Sequence, residues 1–135
     1  MQKILILFSV LALAVCAFIP VACVASRIED PALFAPAQLA WPAVRSDYDR
    51  GVAAAADAND SVLLSSLKKN SDDMTAALDS SDVDALRLVP WSTMHPWCST
   101  GIAAKLSDGE IGPGVADSLI EQLTNFTITI TRLQE

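Results

Sequence analysis

The first 26 residues constrain this chain more than any other stretch. Lys3 carries the only charge, and the run Ile4 to Ser26 has none. Inside it, Ile4 to Phe8 and Val10 to Val15 form an apolar block, and small residues follow at Ala22-Cys23-Val24-Ala25-Ser26. A basic tip, an apolar block and a small-residue exit make the pattern of a secretory signal. The pattern implies that the protein leaves the cytoplasm or stays attached to a membrane.

Three outcomes fit residues 1–26. The first is a signal peptide cut after Ala25. The second is a lipoprotein signal in which Cys23 becomes the acylated first residue; Val21 and Ala22 suit the positions before such a cysteine, and Pro20 departs from the aliphatic residue expected there. The third is a retained anchor, whose 23 uncharged residues are enough to span roughly 30 Å of hydrocarbon as a helix. Lys3 would then stay on the cytoplasmic side.

On Lys3, the block Ile4–Val15 and Val21-Ala22-Cys23, the chain resembles the small secreted or lipid-anchored envelope proteins of bacteria and their phages. Lipoproteins of this form include the outer-membrane spanin subunits used in phage lysis. The resemblance covers about a fifth of the chain and implies a place in the cell envelope, periplasmic or membrane-anchored, or secretion.

The part after Ser26 is long enough for one small domain. It holds 8 basic and 16 acidic residues, because Lys3 is the one charged residue of the leader, a balance of −8. An acidic surface repels phosphate backbones, which argues against a nucleic-acid partner and against an electrostatic hold on anionic lipid. Cys16 and Cys23 lie in the leader, so cleavage leaves Cys98 alone and rules out an internal disulfide in the mature part.

Residues 27–46 read as a Pro-rich apolar linker, with Pro31, Pro36 and Pro42 too closely spaced for a stable helix. Leu33, Phe34, Leu39 and Trp41 suit it to lie on the domain or at a membrane interface. The folded domain is then 47–135. Ser46-Asp47 opens a first helix with Asp49 in its first turn. Lys68-Lys69-Asn70 is a stop signal, and Ser71-Asp72-Asp73 starts a second helix. Ser80-Ser81-Asp82 ends it and recaps a short third one as far as Leu88. Residues 90–101 read as a Trp-bearing loop, and Ser99 or Thr100 caps a short helix through Leu106. Ser107-Asp108-Gly109 and Gly112-Pro113-Gly114 are turns.

The last segment is the most periodic. Ala116, Leu119, Leu123, Phe126, Ile130 and Leu133 step by 3, 4, 3, 4, 3, a seam that can pack on another helix or a partner. Thr127-Ile128-Thr129-Ile130-Thr131 alternates and locally favours strand. The seam predicts helix at least to Asn125. The fold expected is all-α: an N-terminal hydrophobic leader or anchor helix, a small helical hairpin and a C-terminal amphipathic helix.

No motif converges on a reaction, a cofactor or a metal. His95 and Cys98 are ligand types at i, i+3, but with one His in the chain and no CxxC they do not complete a zinc set. A Cys–His nucleophilic pair needs the imidazole beside the thiol and a third group to orient it. Asp108-Gly109-Glu110 fails as a calcium loop, because Ala104, Leu106 and Val115 would fall at ligand positions. The carboxylate pairs Asp47/Asp49, Asp72/Asp73 and Asp82/Asp84 sit where helix starts want acids. Asn59 and Asn125 head sequons. The function expected is an exported or membrane-tethered, non-enzymatic envelope protein. It would meet the membrane through its N-terminal segment or a lipid, and a protein through the seam Leu119, Leu123, Phe126, Ile130 and Leu133. The alternatives are a spanin-like lysis accessory and a small secreted hydrolase built on His95 and Cys98.

Overall fold

The structure is a computed structural model, and it describes residues 31–55 and 60–135. The chain divides into a unit of residues 1–30 and a unit of residues 31–135. All described residues belong to the second. The leader, Cys16 and Cys23, residues 27–30 and the first sequon at Asn59 lie outside the described residues.

The second unit is all-α, with five helices among the described residues: α1 Pro31–Ala55, α2 Ser61–Asp79, α3 Val83–Arg87, α4 Trp91–Ser107 and α5 Pro113–Gln134. The all-α class expected from the sequence holds, but the hairpin expected to turn at Lys68–Asn70 is replaced by a different antiparallel pair, α1 with α2. α1 and α2 run antiparallel, as their cross-links show: Gln38 to the Leu78 carbonyl, Trp41 to Thr75, Arg45 to Asp72 and Tyr48 to the Leu67 carbonyl.

The Pro-rich linker expected up to residue 46 is corrected from residue 31 onward, where it forms more than half of α1. Pro31 takes the first helical position, where a missing N–H costs nothing. Pro36 and Pro42 lie inside the helix, where each loses a backbone hydrogen bond. Both rings face outward. On the inner face Phe34, Ala37, Trp41, Val44 and Tyr48 step by 3, 4, 3, 4, and all are buried. Burying large side chains at ~1.5–3 kcal/mol each outweighs two proline penalties of ~3 kcal/mol.

The same physics corrects two further expectations. The loop at 90–101 is the greater part of α4; its Pro96 faces solvent, and Trp91, Met94, Cys98 and Ile102 make the buried stripe. The stop at Lys68-Lys69-Asn70 is overridden, because Leu67, Ser71, Met74 and Leu78 carry one buried stripe straight through it. α2 starts instead at Asp60, whose carboxylate accepts from the Leu63 N–H at 2.9 Å, and α3 starts at Asp82, which caps the Ala85 N–H at 3.0 Å.

α5 continues as helix through the β-branched run to Gln134. Thr124, Thr127, Thr129 and Thr131 each donate to the carbonyl four residues back, which satisfies the hydroxyls without leaving the helix. The core centres on Phe126, stacked on Trp41 at 5.7 Å and met edge-on by Trp91 at 5.0 Å. Both indole N–H groups are satisfied, by Thr75 at 2.8 Å and Thr127 at 3.1 Å.

α1 and α4 cross at a glycine pair. A Cβ on Gly51 would lie 1.8 Å from the Trp97 carbonyl oxygen, and one on Gly101 would lie 1.7 Å from that of Asp47. Only glycine lets these two backbones touch.

Candidate functional site

Leu123, Phe126, Ile130 and Leu133 are buried and Leu119 is partly buried. The seam that the sequence offered to a partner is consumed inside the fold, against α1 and α4. It is therefore corrected from a docking surface to a core surface. A heptad stripe states that a helix face is covered; it does not state by what.

His95 and Cys98 are neighbours on α4 but belong to different surroundings. Cys98 is fully buried, with its Sγ 3.9 Å from the Val44 carbonyl that it faces on α1. Burial, then the Asp47 charge nearby, pushes the thiol up to about 12. A nucleophilic cysteine needs the opposite shift. His95 is half-buried, edge-on to Trp91 at 6.0 Å. It lines an α4–α5 groove of about 570 Å³ with Arg87, Trp91, Thr127 and Thr131. The two threonine hydroxyls there already donate to their own helix.

The carboxylates are held structurally. Asp47, expected in a first helical turn, sits mid-helix and 2 % exposed. It accepts from Lys105 Nζ of α4 at 2.7 Å, and the same ammonium donates to Ser46 at 3.0 Å. No local pattern announces this pair, because its partners are 58 residues apart. Asp49 is exposed, and partial burial raises its carboxyl, against the lowering effect of Arg45. Asp72 pairs with Arg45 at 3.0 Å and Asp73 with Lys69 at 2.6 Å. The Asp108-Gly109-Glu110 turn is a knot of charge on Arg50, with Gly109 at φ 74°. Among the described residues no three His, Cys, Asp or Glu side chains are grouped to hold a metal. Asn125 of the second sequon is exposed, while Phe126 beside it is buried.

What remains are surfaces. The chain has no charged side chain from Pro31 to Val44. The outward side of this stretch presents Leu33 at 49 % and Leu39 at 83 % exposure. It runs into an α1–α5 groove of about 420 Å³ lined by Pro36, Ala40, Val115, Leu119, Glu121 and Phe126. A second groove of about 420 Å³, between α2 and α3, is lined by the apolar Ala77, Ala85 and Leu88 and by the charged Lys69, Asp73 and Asp82. No helix among the described residues is long and apolar enough to cross a membrane. Comparisons of the chain with protein-family models, with curated proteins and with solved structures give no match.

Proposed function

We propose that this chain is an exported or membrane-tethered envelope protein that works by binding another protein and performs no chemistry of its own. One observation carries the reading: an uncharged run, Ile4–Ser26, leads within a few residues into a helical unit whose first helix starts with a charge-free stretch. The buried, high-pKa Cys98 supports binding over nucleophilic catalysis. The α2–α3 groove supports a protein partner, because it sets exposed apolar side chains beside charged ones, the mixture found at protein interfaces. Leu88, 85 % exposed, is its most prominent apolar side chain.

Fractionation of the full chain from a secreting cell, with the intact mass read from the membrane fraction, tests the address. Retention through high salt and alkaline wash, or a mass showing acylation or cleavage, is the expected result. Full-length, unmodified protein in the cytosol would overturn it. A photo-crosslinking amino acid at position 88 tests the partner: a discrete protein adduct is expected, and lipid adducts or none count against it.

A further inference from the structure

Among the described residues the outer face of α1 is largely uncovered: Leu33, Pro36 and Leu39 are exposed, and Ala40 alone packs partly against the core. Leu33, Pro36 and Ala40 lie one turn apart on it, and Leu39 and Ala43 widen the same face by helical spacing. These side chains are exposed or half-buried, and Leu39 is more exposed than any other large apolar residue of the described unit except Leu88. The face is also charge-free over 14 consecutive residues, Pro31 to Val44. That is unusual in a part of the chain whose overall balance is acidic.

The position of this face in the chain says what covers it. Resting on the tethered reading above, the leader ends at Ser26 and α1 begins at Pro31. Fully extended, the five backbone steps between them reach at most about 17 Å. A bilayer that holds the leader is thus always within reach of the first turns of α1.

We infer that the Leu33–Pro36–Leu39–Ala40–Ala43 face of α1 rests in the lipid interface of the membrane that holds the leader. The chemistry matches an uncharged contact with acyl-chain and glycerol level, not an attraction to anionic headgroups, because the face carries no lysine or arginine. Glu121 on the α5 wall of the adjoining groove sets the depth: α1 is immersed while α5 stays among the headgroups. The weak apolar contact and the leader act together, as two modest anchors do for peripheral proteins.

The test uses the full chain in phosphatidylcholine vesicles. An environment-sensitive fluorescent amino acid replaces Leu39 in one sample and Leu88 in another, and bromine on the lipid acyl chains acts as quencher. Both samples should float with the vesicles, and the probe at 39 should be quenched several-fold more than the probe at 88, independently of salt. Flotation with equal, weak quenching at both positions would keep the tether and overturn the seated face. A probe at 39 that is shielded but not quenched by lipid, and that is exposed again on diluting protein per vesicle, would assign the face to a second copy and overturn it too. Failure to float would sink the tether, and the seated face with it. The variant Leu39→Glu should keep its helix content and lose the lipid contact, since the position contributes nothing to the core.

Discussion

At the residue scale, buried polar groups decide where the unit is vulnerable. Cys98 and Tyr48 both have pKa values pushed up to about 12, mainly by burial, from ordinary values of 9.0 and 10.0. Tyr48 also holds the Leu67 carbonyl at 2.7 Å. A raised value means the folded state keeps protons that the unfolded chain releases. Below about pH 8 neither state ionises these groups, so their contribution is intact. From about pH 9 toward 12 the unfolded state is favoured progressively, and stability falls. Denaturant titrations from pH 7 to 11 should show a flat region followed by decline; a rise with pH would contradict this. The Cys98 thiol should also resist labelling at pH 8 and react at once in denaturant, since a three-unit shift leaves roughly a thousandfold less thiolate. Rapid labelling of folded protein would return His95 and Cys98 to consideration as a reactive pair.

The Asp47–Lys105 pair belongs to the same scale. Asp47 is buried and Lys105 is mostly covered. Removing the cation strands a carboxylate among apolar neighbours, whereas replacing both ends does not. Lys105→Ala should therefore cost ~3–5 kcal/mol in chemical unfolding, and the double change Asp47→Asn with Lys105→Met should cost clearly less. Equal costs would show that the pair is worth no more than its packing.

At the element scale, the test is whether α1 and α4 are helices that meet backbone to backbone. Gly51→Ala forces a methyl group into the Trp97 carbonyl. Backbone cannot swing aside as a side chain can, so a loss of at least ~1–3 kcal/mol is expected. Pro42→Ala acts in the opposite direction. It restores a helical N–H on the solvent side, and should stabilise by up to ~3 kcal/mol. A linker proline would give no such gain, so an unchanged melting temperature would argue against helix at that position. These two positions also show why the sequence was only partly legible. α5 could be read because its seam is uninterrupted and carries no Pro after Pro113. α1 has an equally regular seam, Phe34 to Tyr48, but three prolines on or near it signal a break by local rules. The rules omit which side each ring faces. Likewise Lys68-Lys69-Asn70 has the chemistry of a helix end, and tertiary burial on either side outvotes it. The His95–Cys98 spacing was visible in the sequence. The covering of the thiol by α1 was not, because it depends on the Gly51–Gly101 crossing, which joins residues 50 apart.

At the scale of the whole molecule, the main consequence concerns where the folded unit begins. A linker ending at residue 46 would be dispensable to folding. The structure puts Phe34, Ala37, Trp41 and Val44 among the buried core. Trp41 alone stacks on Phe126, donates to Thr75 and sits on the α1–α2 seam. Deleting residues 31–46 would remove these four side chains and expose the faces of α2, α4 and α5 that they cover. Losing even two large core side chains costs ~4–10 kcal/mol, as much as the whole stability of a domain this size. A chain starting at Pro31 should therefore unfold in one cooperative, reversible transition, as read by circular dichroism. A chain starting at Asp47 should show no transition and should aggregate or remain molten. Equal cooperativity in the two would mean that α1 only decorates an independent core.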